Sequence, residues 1–171
     1  QVITGNRSLG LMERNSFTAA WQGPMQLPVP DAFAPRWSPD GTTLAYDIRS
    51  NTQGIGVFPL GGVPRVLVQQ TAELTRPSWP EWSPDGRWLH FASDRGGSYN
   101  LWRVEIDPAT GGAAGLPQPV TTGVRGMGYP RFASDGSRLS TMAYERNYEQ
   151  TIYAVDTTPA IAGVAGIRLR P

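Results

Sequence analysis

Three aspartates, Asp40, Asp85 and Asp135, are each followed directly by a glycine: Gly41, Gly86 and Gly136. Carboxylates recurring along a chain invite the chemistry of glycoside hydrolysis, in which two of them must lie roughly 5–10 Å apart across a scissile bond. These recur at one place in a repeated phrase, 45 and then 50 residues apart, so each belongs to a different structural unit. The arrangement reads as structural: a Pro-Asp-Gly turn whose carboxylate accepts a backbone N–H and whose glycine supplies a φ > 0 position.

Other reactive constellations are missing. His90 is the single histidine, and a His-based metal cluster needs more than one. It is expected to be a half-buried strand residue in register with Ala45 and Ser140 rather than a general base. With no cysteine there is no disulfide, thiol nucleophile or thiolate metal site. The chain holds no Gly-x-Ser-x-Gly nucleophile elbow and no glycine-rich phosphate loop between strand and helix. The expectation is therefore no catalytic residue, metal or cofactor. A formal charge of +1 implies no nucleic-acid or anionic-membrane partner. The longest smooth apolar run, 160–167, is far short of the roughly 20 residues of a membrane helix. Every basic residue apart from His90 is arginine.

The phrase around each aspartate shows what positions these residues. It is Pro-Arg-Trp-Ser-Pro-Asp-Gly at 35–41, Pro-Glu-Trp-Ser-Pro-Asp-Gly at 80–86 and Pro-Arg-Phe-Ala-Ser-Asp-Gly at 130–136. Four residues before each glycine stands an aromatic (Trp37, Trp82, Phe132), and three after it a leucine (Leu44, Leu89, Leu139). An arginine closes the following strand (Arg49, Arg95, Arg146), and six residues later an aliphatic opens the next (Ile55, Leu101, Ile152). Aligning Arg14 with these places Gly5 at the turn glycine, Trp21 at Trp102 and Gln1 at Trp82. A hairpin phrase recurring at roughly 40–50 residues signals a β-propeller blade.

The expected fold is all-β: a propeller segment of about four blades, each a four-stranded antiparallel sheet. Blade I runs over 1–30, blade II over 31–71, blade III over 72–122 and blade IV over 123–171. Outer strands are expected at 25–27, 65–68, 118–121 and 167–170. Leu89 and Phe91 should face one side of blade III, Trp88 and His90 the other, both sides being covered by neighbouring blades. Burial of Trp37, Trp82 and Phe132 should dominate stability at about 3 kcal/mol each. On this register the chain starts mid-strand and ends on an outer strand. It is therefore expected to form part of a larger or partner-completed propeller rather than a closed ring.

Aligned in this way, the chain resembles the TolB-like, WD-like bacterial propeller repeat. Blade III carries it through Trp82-Ser83-Pro84-Asp85-Gly86, Phe91-Ala92-Ser93-Asp94-Arg95 and Leu101-Trp102-Arg103-Val104-Glu105, and blade IV through Ile152-Tyr153-Ala154-Val155-Asp156. The resemblance covers nearly the whole chain and implies a periplasmic or cell-envelope location. It also implies a non-enzymatic role as a protein-interaction module or subunit of an envelope assembly. The alternative it leaves is the propeller portion of a prolyl-oligopeptidase-type peptidase or carbohydrate-active enzyme whose catalytic residues lie elsewhere. Two groups of residues follow as candidates. Arg14, Arg49, Arg95 and Arg146 are expected to cross-link adjacent blades. Where the repeat is broken, Trp79, Tyr99, Arg125, Met127, Tyr129 and Tyr148 are the residue types that interfaces favour, and are the candidates for binding a protein partner.

Overall fold

The computed structural model describes residues 8–50, 53–71, 76–123, 126–144 and 150–156. Among them every regular element is a strand. In chain order these are β1 (Ser8–Glu13), β2 (Gln22–Pro30), β3 (Ala32–Trp37), β4 (Thr43–Ile48), β5 (Gly54–Pro59), β6 (Arg65–Gln69), β7 (Ser78–Trp82), β8 (Trp88–Ser93), β9 (Asn100–Glu105), β10 (Gln118–Pro119), β11 (Met127–Phe132), β12 (Arg138–Tyr144) and β13 (Gln150–Asp156). They form antiparallel sheets in the orders β1-β2, β3-β4-β5-β6, β7-β8-β9-β10 and β11-β12-β13. No helix is long and apolar enough to cross a membrane among the described residues.

Each repeated phrase makes the same hairpin. In the first, the Gly41 N–H donates to the Ser38 carbonyl at 2.8 Å, Ser38 N–H to the Thr43 carbonyl, and Thr43 N–H to the Ser38 hydroxyl oxygen. Asp40 closes the turn by accepting the Thr42 N–H at 3.1 Å and the Ser38 hydroxyl. Gly41, Gly86 and Gly136 have φ of 71°, 71° and 73°, a region where any Cβ is strained. Asp85 and Asp135 repeat the carboxylate bond with the Arg87 and Ser137 N–H groups. The turn aspartates are thus fully employed in folding their own hairpins. The serine does as much as the aspartate: Ser83 accepts the Trp88 N–H in the same way.

Strand alternation places each blade's two faces in two different cores. Leu44, Tyr46 and Phe58 pack toward Leu27 and Val29 of β2. Ala45 and Val57, on the opposite face, pack toward Trp82, Leu89 and Phe91 of the next blade. Leu101 and Leu139 continue the stack into the last sheet, with Val120 and Phe132 packed beside them. This period-2 division explains why both faces of these strands are apolar.

The structure corrects several expectations. Trp37 is 43% exposed, whereas Trp82 is 8% exposed. Trp82 is closed over by the preceding blade, its indole N–H donating to the Arg36 carbonyl. Before Trp37, blade I offers only β1 and β2 among the described residues. Residues 25–27 do not form a separate outer strand; they lie inside β2, paired with β1. The outer strand expected at 118–121 shortens to Gln118–Pro119, with the Val120 and Thr121 N–H groups reaching the Leu101 carbonyl. His90 is buried rather than half-buried, its ring meeting Phe132 edge-on at 4.7 Å. The expected strand at 167–170, together with Gln1 and Gly5, lies outside the described residues.

Candidate functional site

In an antiparallel blade the first hairpin turn leaves one end of the sheet, while the connection between second and third strands leaves the other. The Ser-Pro-Asp-Gly turns therefore occupy one end of the stack. The β8–β9 loop and the links that enter β7 and β11 occupy the opposite end. The second end is where the repeats differ most, and it carries the aromatic residues picked out by sequence.

Trp79 sits at the start of β7 and Tyr129 at the equivalent point of β11, each directly before the proline of its phrase. Both strands shift register there, between Ser78 and Glu81 and between Gly128 and Arg131. The bulged residues have φ of 56° and 54°, and the equivalent Ala34 has 47°. A positive φ in a bulky residue is strained and persists only where its surroundings hold it. The same bulge recurs in blade II with Ala34, so it belongs to the repeat, and in blades III and IV it carries a ring. Trp79 and Tyr129 stack at 4.4 Å between centroids, and Tyr99 from the β8–β9 loop lies 6.2 Å from Trp79. Gly128 forms the floor, since a Cβ there would come within 2.7 Å of the Trp79 ring. Tyr129 is 41% exposed and Trp79 and Tyr99 are half-buried, so the three present a wet aromatic surface. Blade II has Ala34 in this place, which makes the surface one-sided.

Beneath the rings lies Asp47, 1% exposed on β4. One carboxylate oxygen accepts the Trp79 N–H at 2.7 Å, and the other pairs with Arg49 at 2.9 Å. Burial pushes its pKa up to about 6, outweighing the opposing pull of Arg49 and the Trp79 N–H. Beside it, Asp94 accepts the Arg76 N–H at 2.6 Å. The Met127 N–H bonds the Tyr99 carbonyl at 3.0 Å, tying the loop to β11.

Of the partner-binding candidates, Trp79, Tyr99 and Tyr129 come together at this face. Met127 does not: it is fully buried, with the Thr121 hydroxyl on its sulfur at 3.3 Å. Its apolar side chain alternates inward with the strand, while Tyr129, two residues on, is turned outward by the bulge. Arg125 and Tyr148 lie outside the described residues. Of the arginines expected to cross-link blades, Arg14, Arg49 and Arg95 each contact groups of their own blade. Arg14 donates to the Phe17 carbonyl and lies over the Phe17 and Trp21 rings. Arg49 pairs with Asp47 and faces Phe33, and Arg95 lies over Phe91 and Trp102. Arg146 is outside the described residues.

Among the described residues, two carboxylates add links across blades to those of the Trp82 indole and the Met127 N–H. Asp47 joins β4 to β7. Glu81 pairs with both Arg36 and Arg131, each at 3.2 Å, and so joins three successive blades through equivalent strand positions. Both were legible as breaks in the repeat: an acid at a core-facing position of β4, and Glu between two Arg in the slot before each aromatic. Among the described residues no group of three or more His, Cys, Asp or Glu side chains is placed to hold a metal ion.

Over 94% of its length the chain superposes on a protein assigned as TolB from Agrobacterium tumefaciens, with a TM-score of 0.68 and 19% identity. Over 86% it superposes on TolB from Acinetobacter baumannii, with a TM-score of 0.62 and 19% identity. The fold is that of a TolB-like β-propeller. The chain covers 59% of the first of these TolB chains and 34% of the second. A protein assigned as a 6-phosphogluconolactonase from Bacteroides uniformis shares the fold at a TM-score of 0.50 and 17% identity, over 81% of this chain and 39% of that one. By sequence, the chain is 29% identical to an uncharacterized protein of Agrobacterium fabrum over 110 residues, 64% of its own length and 35% of the relative's. It thus spans about a third of that curated relative. No protein-family model matches the chain.

Proposed function

We propose that this TolB-like propeller is a non-enzymatic protein-interaction module of the bacterial cell envelope, and that its partner docks on the end face formed by Trp79, Tyr99 and Tyr129. The observation that carries this reading is the stacked Trp79–Tyr129 pair, held half-exposed by two strained strand bulges. A surface serving only the fold would bury these rings or replace them, as Ala34 does in blade II. Large, rigid aromatic side chains bind at low entropic cost and are the residues in which interface energy concentrates. The absence of a nucleophile motif and the single, buried histidine support a role without catalysis. Likeness to the TolB-type repeat supports the envelope location.

Site-specific photocrosslinking in the source bacterium tests the reading. A benzoylphenylalanine at Tyr129 or Tyr99 is expected to trap a protein, and the same probe at Ser134, on the exposed turn end, is expected to trap none. Equal adducts at both ends, or none at either, would sink the docking face. Turnover of peptide, glycoside or lactone substrates by the purified protein would sink the non-enzymatic role.

A further inference from the structure

Charge around the aromatic surface is sorted by exposure. Both oxygens of Asp47 are taken, one by the Trp79 N–H and one by Arg49, and its side chain is 1% exposed. An Asp94 oxygen is occupied by the Arg76 N–H. The Arg49 side chain, although paired with Asp47, is 39% exposed, and Arg76 is exposed. All four charged groups act electrostatically on the Tyr99 phenol. A ligand approaching this face therefore meets aromatic rings with two accessible guanidinium groups near them, while Asp47 is buried and Asp94 is half-buried with one oxygen engaged.

We propose that the segment bound here is an acidic peptide in extended conformation, with a proline or other apolar side chain on Tyr129 and Trp79 and carboxylates met by Arg49 and Arg76. This rests on the protein-docking reading above and gives its partner a chemistry. Centroid spacings of 4.4 and 6.2 Å make an aromatic band. Such a band is at most about 10 Å long, within the rise of roughly three residues of polyproline II, the conformation that aromatic-lined surfaces recognise. Guanidinium groups suit carboxylates through paired, planar hydrogen bonds. A single-stranded nucleic acid fits less well. Trp79 and Tyr129 close one face of each ring against the other, and a net charge of +1 provides no extended phosphate track.

The test selects phage-displayed random dodecapeptides on the full-length protein, then measures fluorescein-labelled copies of the enriched peptides by anisotropy at low and raised salt. Enrichment of Asp or Glu beside Pro or aromatic residues is expected, with binding that weakens as salt rises. Arg76→Glu and Tyr129→Ala should each weaken it about tenfold, and Arg76→Gln less than Arg76→Glu. Unchanged far-ultraviolet circular dichroism and a cooperative thermal transition would show that each variant is folded. Enriched peptides that are neutral or basic but still lost with Tyr129→Ala would overturn the acidic partner and leave the docking face standing. Peptides insensitive to both Tyr129→Ala and Arg76→Glu, or no enrichment at all, would overturn both. Tight binding of a labelled single-stranded oligonucleotide, lost in the same variants, would replace the peptide with a nucleic acid.

Discussion

Two buried groups at separate blade seams should give this protein opposing responses to acid, and single substitutions should separate them. His90, between β8 and the Phe132 ring, is pushed down to a pKa of about 3 by burial, reinforced by Arg103 beside it and opposed by Asp85. Its unfolded value is 6.5. The unfolded chain therefore takes up a proton that the folded chain refuses, and stability is lost as pH falls below 6.5. From pH 8 to pH 5 this amounts to about 1.5 pH units at 1.4 kcal/mol each, or about 2 kcal/mol. Asp47 acts with the opposite sign. Its folded pKa is raised to about 6 from 3.8, so ionisation penalises the folded state above 6 and the penalty is relieved as pH falls. Over the same range the gain is about 1 kcal/mol. The parent protein should therefore lose less between pH 8 and pH 5 than His90 alone would cost it. His90→Leu should reverse the trend to a gain of about 1 kcal/mol, and Asp47→Asn should steepen the loss to about 2 kcal/mol. Urea denaturation followed by Trp fluorescence at pH 8, 7, 6 and 5 reads these differences as shifts of midpoint at constant m. A His90→Leu profile parallel to the parent's within about 0.5 kcal/mol would show that the imidazole is not held neutral by the seam.

Trp82→Ala should cost about 3–5 kcal/mol in chemical denaturation, because it opens a cavity in the seam between blades II and III. Tyr129→Ala should stay within about 1 kcal/mol, and equal losses would show that the end face belongs to the core. Gly128→Ala drives a methyl group into the Trp79 ring, so it should destabilise by about 1–3 kcal/mol and change the near-ultraviolet dichroism of the Trp79–Tyr129 pair; an unchanged spectrum would contradict the stack. Glu81→Gln removes the charge that joins Arg36 and Arg131 and should cost about 1.5–3 kcal/mol. Little further loss is expected when Arg131→Gln is added, and full additivity in that double-mutant cycle would refute the three-blade link. Gly86→Ala should cost about 1 kcal/mol or more in thermal melts, since its φ is 71°.

What the sequence determined by itself is local or periodic. The Asp-Gly turns, the register of His90 with Ala45 and Ser140, and the split of Leu89 and Phe91 from His90 follow from turn stereochemistry and period-2 alternation, which need no distant contact. The aromatics at 79, 99 and 129 stood out because they broke the repeat, which marks a position freed from the packing the repeat imposes. Tertiary structure decided what each residue meets. Met127 and Tyr129 lie two apart on one strand, yet the bulge after Gly128 leaves one buried and the other exposed. Trp37 and Trp82 occupy the same slot in the phrase, but burial depends on the blade in front, which the phrase does not encode. Arg49 and Arg95 meet the Asp47 carboxylate and rings of their own blades, contacts that the spacing of the repeat does not encode. Asp47 and Glu81 bond across blades unforeseen: a carboxylate's partner is set by which chain segments converge on it in space, and here those segments lie 32 to 51 residues away.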